Sequence, residues 1–233
     1  MKAIYEISDA LQHLFFPHVC KGCLSDNLHA RDHLCFHCLL NLPYTGFEDK
    51  TDNATEKTFW GRLPIISATS LLYFTPGSIV QKIIHQIKYK GEADLAIFMG
   101  RLMGMALQDS NRFSTIEGIV PVPLHPRKFK IRGYNQAQLL SEGISEITGL
   151  PVFTSALIRN QSSETQTHKN RMERWENVDG LFSFLPDETG NTKGILLVDD
   201  VMTTGATLEA CAQAIIREKN TELSIATLAF AAQ

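Results

Sequence analysis

The chain has 233 residues, of which 44% are hydrophobic and 20% charged, with a formal net charge of −3. That composition is globular and excludes a disordered or fibrous chain. A slightly acidic balance gives no overall attraction to nucleic acid or an anionic membrane, so any basic surface must be local.

The first stretch, MKAIYEISDALQHLFF, carries Glu6 and Asp9 and has no small-residue cleavage site. Ile4, Ile7, Leu11, Leu14 and Phe15 recur at helical spacing, so it reads as an amphipathic helix and not as a signal peptide. No apolar run approaches the roughly 18–20 residues that span a bilayer. No transmembrane segment is expected, and the cytoplasm is the expected location.

Two pairs follow, Cys20-x-x-Cys23 and Cys35-x-x-Cys38, separated by eleven residues. Four thiolates at this spacing suit one tetrahedral structural Zn²⁺. The stretch between the pairs, NLHARDHL included, is too short and polar for a core, so a metal would hold it together. A disulfide framework is the weaker alternative without a secretory signal. His18, His29, His33 and His37 crowd the region; one can replace a cysteine ligand, or all are surface residues. A closed four-thiolate site leaves no position for a catalytic water. The expected plan is a helix and zinc-ribbon-like module over 1–45, a linker over 46–66 and an α/β domain over 67–233. The polar, aperiodic GFEDKTDNATEKTFW reads as linker or exposed loop.

From residue 61 the pattern turns α/β. ISATSLLYF reads as a strand or hairpin. Ile79, Ile83, Ile84 and Ile87 mark a helix over Ser78–Tyr89, and a second runs over Leu95–Leu107, where Gly100-x-x-x-Gly104 suggests close helix packing. GIVPVP (118–123) is a short buried strand. Gln136–Thr148 is a helix closed by Gly149, with Pro151 beyond it. Val152–Phe153, Leu157–Ile158 and Gly180–Phe184 are strand fragments. Ile195–Val198 is a fully apolar strand, Ala206–Lys219 a helix carrying a buried Cys211, and Leu223–Phe230 a last strand. The alternation implies a parallel sheet covered on both faces.

Two segments carry charge of another kind. His125–Arg132 holds Arg127, Lys128, Lys130 and Arg132 and no acid. It reads as a solvated loop, as a nucleic-acid contact, or, leaving the end of a parallel strand, as a pyrophosphate contact through Arg127 and Lys128. Residues 159–182 are long, polar and at first aperiodic, which suits an active-site lid or a surface loop followed by a helix.

The last constellation is GILLVDDVMTTGAT (194–207). An apolar strand ends in Asp199 and Asp200, and a helix begins after Gly205. Ligands of parallel α/β sheets bind beyond the carboxyl ends of strands, and a helix N-terminus favours phosphate. Gly205 allows close backbone approach, and Thr203, Thr204 and Thr207 add hydroxyl donors. The carboxylates suit hydroxyl groups or Mg²⁺. A ligand with vicinal hydroxyls and a phosphate, such as ribose 5-phosphate, satisfies the whole stretch.

VDDVMTTGAT resembles the phosphoribosyl-pyrophosphate signature of type I phosphoribosyltransferases. The resemblance implies that fold, with Asp199 and Asp200 on the ribose 2′- and 3′-hydroxyls. It places the 5-phosphate in the turn Thr203, Thr204, Gly205, Ala206 and Thr207, with Val198 opening the signature. Transferases for 6-oxopurines usually carry an acid where this chain has Thr203, which points away from that salvage chemistry. With the knuckle, IHQIKYKGE, PVPLHPRKFKIRGYNQA and TQTHKNRMERWENVDGLF in order, the chain resembles the ComF family of competence proteins and its gluconate-utilisation-linked relatives. Many relatives have Leu where this chain has Lys169.

The resemblance implies phosphoribosyl pyrophosphate with Mg²⁺ as donor. Arg127 and Lys128 would stabilise the leaving pyrophosphate, and the lid, through Arg159, Gln166 or Arg174, would exclude water. The acceptor is unknown. A glutamine-dependent amidotransferase would need an N-terminal Cys and a glutaminase domain, so ammonia or another amine is expected in its place. The other reading is a competence factor that binds single-stranded DNA, with the ribose-phosphate site regulatory. A third is an interaction protein with a relic pocket, against which the intact Asp199, Asp200 and Gly205 stand.

Overall fold

The computed structural model describes residues 19–26, 28–29, 32–160 and 180–231. The helix expected at the N-terminus, and most of the lid stretch with Gln166, Lys169 and Arg174, lie outside the described residues. In chain order come α1 (Phe36–Leu40), α2 (Ala54–Lys57), β1 (Ser67–Phe74), α3 (Ile79–Tyr89), α4 (Ala93–Asp109), β2 (Gly118–Pro121), α5 (Pro126–Arg132) and α6 (Gln136–Thr148). They are followed by β3 (Leu157–Arg159), β4 (Phe182–Phe184), β5 (Gly194–Met202), α7 (Ala206–Glu218) and β6 (Glu222–Ala231).

Strands β1, β6, β5 and β2 form one parallel sheet in that order. Parallel strands covered on both faces read as unbroken apolar runs, and β5 opens in that way. Leu196 and Val198 belong to the cluster under α3, α4 and α6; Ile195 and Leu197 belong to the cluster under α7 and the antiparallel β3–β4 pair. Cys211 is fully buried on α7 in the second cluster, as a small hydrophobe.

Helix ends follow their local chemistry. The Ser78 hydroxyl accepts from the Gln81 N–H at the start of α3. Asn135 caps α6, and Gly149 closes it in the left-handed conformation at φ 73°. The contact of α4 with α6 is backbone against backbone. A Cβ on Gly100 would lie 2.2 Å from the Leu140 carbonyl oxygen, and one on Gly143 would lie 2.1 Å from that of Ile97. The small residues thus do what the Gly100–Gly104 spacing suggested.

ISATSLLYF forms a single strand, one of its two expected forms. Two local expectations change. The basic segment after β2 is helical, with His125 at its N-cap, Pro126 at its first position and Gly133 closing it at φ 81°. The stretch 46–60, expected as a linker or exposed loop, is packed. Asn53, Thr55, Glu56 and Phe59 are all buried. The Asn53 side chain accepts from the Glu56 N–H and donates to the Ala68 carbonyl. Glu56 accepts from the Ala68 N–H and pairs with Arg112. Buried polar groups are costly unless they are hydrogen-bonded; the side chains of Asn53, Thr55 and Glu56 each find a partner, whereas Glu48 Oε2 does not.

The cysteine module packs on the same body. Cys20, Leu34, Cys35, Cys38 and Leu42 share a cluster with Ile83 and Leu95. Lys21 pairs with Glu92 at 2.5 Å.

Gly143→Ala is expected to destabilise the protein by about 1–3 kcal/mol or more, because neither backbone can yield without moving its helix. Urea denaturation of both proteins measures it, and an unchanged midpoint would refute the tight-contact account.

Candidate functional site

The crevice at the carboxyl ends of β2 and β5 is a topological switch point. Val152 bridges to β2 on one side while β5 pairs with it on the other, so the chain winds away from β2 in both directions. Ligands of open α/β sheets bind at such a point. The last rung is the Val122 N–H donating to the Val198 carbonyl at 2.9 Å. The strand expected to end at Val198 continues to Met202, paired there with β6 alone. Asp199 and Asp200 therefore lie within a strand and alternate to opposite faces.

Asp200 turns toward α3. Its two carboxylate oxygens lie 2.9 and 2.8 Å from Lys88 Nζ. Asp199 Oδ1 accepts from the Asp200 N–H at 2.8 Å. Burial and the neighbouring Asp200 charge push the Asp199 carboxyl up to about 7; the Asp200 N–H and the Lys88 and Lys128 charges oppose the rise. That charge effect joins α5 to the acid pair through Lys128. Arg127 is exposed on the same helix, next to Lys128. No residue of α5 is buried. Its far end is tied down: Arg132 lies over the Tyr89 ring and donates to Gln136 at 2.8 Å, and the Tyr134 hydroxyl donates to the Ile87 carbonyl at 2.6 Å.

Beyond Met202 the chain turns through Thr203, Thr204 and Gly205 into α7 at Ala206. The turn from Asp199 to Leu208 encloses about 50 Å³. Gly205 has φ 75°, and a Cβ there would lie 3.0 Å from both Phe59 and Thr58. Both the backbone shape and the wall behind it require glycine. Arg62 clamps the same turn, with Nη1 2.7 Å from Glu209 and Nε donating to the Thr58 carbonyl at 3.0 Å. Thr203, Thr204, Gly205, Ala206 and Thr207 thus line one concave surface beside Asp199. Val198 differs from expectation: it is fully buried, its side chain sits in the core and its carbonyl is used by Val122. Arg159 lies on β3 over the Phe182 ring and is not among the residues that line the turn.

Lys88, Arg62 and Phe59 had no role assigned from sequence. Lys88 stands 112 residues from Asp200, a separation that no periodicity bridges. The other two lie in the stretch expected to be a linker.

Among the described residues, the one group suited to a metal is Cys20, Cys23, Cys35 and Cys38, whose sulfurs all lie within 4.8 Å of one another. A tetrahedral site with Zn–S near 2.3 Å has sulfur–sulfur edges of about 3.8 Å; Cys23 and Cys35 are 3.7 Å apart. Among the described residues no histidine joins the group: His29 and His37 are exposed, and His33 packs against Phe98, while His18 lies outside the described residues. Burial pushes the Cys20 thiol up, but backbone N–H groups of Cys35, Cys23 and Gly22, with the Cys38 thiol, outweigh it and bring it to about 6. Burial and the other three thiols drive Cys38 well upward. Four sulfurs this close together, with backbone N–H groups that favour the Cys20 thiolate, are a fit for a cation.

The phosphoribosyl transferase domain model matches residues 136–233, the region that holds the acid pair and the turn. Competence protein F of Haemophilus influenzae is 30% identical over 83% of this chain and 89% of its own length. The chain belongs to the ComF family of competence proteins. DNA utilization protein YhgH of Salmonella typhi is 29% identical over 68% of the chain and 67% of its own length. Competence protein ComFC of Bacillus subtilis is 28% identical over 66% and 60%. The parallel sheet of this ComF chain is thus a type I phosphoribosyltransferase fold, with a four-cysteine module packed on it. Among the described residues no helix is long and apolar enough to cross a membrane.

Two outcomes are expected. Asp199 holds its proton to higher pH in the folded chain than the ordinary carboxylate value of 3.8. Its contribution to stability is therefore complete below about pH 4 and lost as pH rises toward 7. Asp199→Asn is expected to remove that fall, which is on the order of a few kcal/mol; parallel curves for the two proteins would refute it. Elemental analysis should find about one zinc per chain. Cys35→Ser should lose the metal and lower the melting temperature.

Proposed function

We propose that this chain binds phosphoribosyl pyrophosphate with Mg²⁺ and transfers its phosphoribosyl group to a nitrogen nucleophile, in the service of DNA uptake or use. The observation that carries the reading is a carboxylate pair set beside a phosphate-sized turn at the switch point of a type I phosphoribosyltransferase fold. A diol needs acceptors and a phosphate needs donors, and the crevice offers both within one short stretch of chain.

Asp199 and Asp200 accept the ribose hydroxyls. The backbone of Thr204–Thr207 and the threonine hydroxyls receive the 5-phosphate. Lys128, with Arg127 beside it, stabilises the pyrophosphate as it departs with the electron pair of the C1–O bond. The acceptor nitrogen forms the C1–N bond and loses a proton. The pyrophosphate oxygens suit a hard cation; Mg²⁺, when bound, would neutralise their charge. The protein supplies positioning and fixed charge. In the cysteine module four thiolates suit Zn²⁺, in a structural role.

The exposed basic helix α5 favours a second reading. Phe129 and Ile131 are exposed beside Arg127, Lys128 and Lys130. Cations interleaved with an aromatic suit single-stranded nucleic acid, and relatives are named for competence and DNA utilization. In that reading the sugar-phosphate site is regulatory.

Calorimetry decides between them. Phosphoribosyl pyrophosphate with Mg²⁺ is expected to bind, and Asp199→Ala with Asp200→Ala to abolish binding. Arg127→Ala with Lys128→Ala should weaken it about tenfold or more while sparing ribose 5-phosphate. Binding that survives loss of both acids would sink the donor-site reading. Tight, salt-sensitive binding of single-stranded DNA, with no pyrophosphate released for any amine offered, would favour the second.

A further inference from the structure

The acid pair already has a cation. Lys88, the penultimate residue of α3, places Nζ 2.9 Å from one oxygen of Asp200 and 2.8 Å from the other. Both side chains are mostly shielded, at 21% and 15% exposure. The helix that delivers this ammonium is fixed. Ile83, Ile84 and Ile87 are buried beneath it, Ile87 accepts from the Tyr134 hydroxyl, and Tyr89 lies under Arg132. Lys88 therefore cannot swing away at little cost, and losing it would leave a shielded carboxylate unpaired beside a second acid.

The lone pairs decide what can be added. A carboxylate offers about four acceptor sites, and Lys88 uses one on each oxygen. Hydroxyl donors can occupy the remaining sites with Lys88 in place. A divalent ion bound directly to Asp200 would have to displace the ammonium or sit beside it against its charge. Lys128 adds a second positive charge on the Asp199 side.

Building on the donor-site reading above, we propose that Lys88 is the resident counter-ion of the acid pair and orients Asp200. The ribose 5-phosphate half of the ligand is then held without a divalent ion, and only the pyrophosphate half calls for Mg²⁺. Lys88 is a positioning residue, acting on the sugar through Asp200. The consequence is a ligand range wider than the donor alone: any ribose 5-phosphate with both hydroxyls free fits the metal-free half.

Ribose 5-phosphate titrated into the full chain tests this, first in buffer passed over chelating resin and then with Mg²⁺. Wild type should bind with the same affinity in both, within about twofold. Lys88→Met should bind about tenfold more weakly in the metal-free buffer, and Lys88→Arg should recover most of the loss. Melting temperatures near that of wild type would exclude a merely structural effect. Wild-type affinity that rises tenfold with Mg²⁺, or Lys88→Met binding like wild type, would overturn the proposal. If Lys88→Met does not fold, the wild-type comparison still decides. Failure of wild type to bind either ribose 5-phosphate or phosphoribosyl pyrophosphate, with or without Mg²⁺, would instead sink the donor-site reading itself.

Discussion

Two carboxylates on consecutive residues of one strand repel each other, and burial makes the repulsion worse. Much of the surrounding structure reads as an answer to that cost. Asp199 gives up part of its charge, Asp200 takes a lysine from α3, and α5 brings a second lysine near Asp199. The strand itself runs past its last partner on the β2 side, which is what opens the crevice. An arrangement this costly to hold is expected at a working site, where local rules of stability are broken and compensated nearby.

The turn before α7 has a parallel logic. Its glycine is held in the left-handed conformation and roofed by Phe59 and Thr58. Arg62 ties that roof to α7 through Glu209. The turn is thus rigid on its outer side and open on its inner side, next to the acids. A turn held from behind in this way has little conformational freedom left to lose.

Most of the fold was legible because its elements announce themselves through apolar runs and caps. Gln136–Thr148 matched at both ends because Asn135 and Gly149 are strong signals. Three features escaped for physical reasons. The extension of β5 is carried by two aspartates, residues that ordinarily avoid strands. Helix α5 hid beneath its charges, although Pro126 and Gly133 mark its ends. The packed stretch 46–60 is stabilised by side-chain hydrogen bonds between residues far apart, and such bonds leave no periodic trace. The residues of the acid pair and the turn were readable from local spacing, and Val198 alone among them proved to be core. The partners of those residues, Lys88 above all, come from elsewhere in the chain.

The packed stretch has one more consequence, for modularity. Sequence pattern would cut the chain at the start of the first strand, with everything earlier treated as an accessory. The back wall of the Gly205 turn stands before that cut, in Thr58, Phe59 and Arg62. A shuffled or transplanted α/β unit beginning at β1 would carry the acids and the glycine but leave the turn without its roof. The polar stretch and the α/β unit are therefore one packing unit around Gly205, which a cut at β1 would divide.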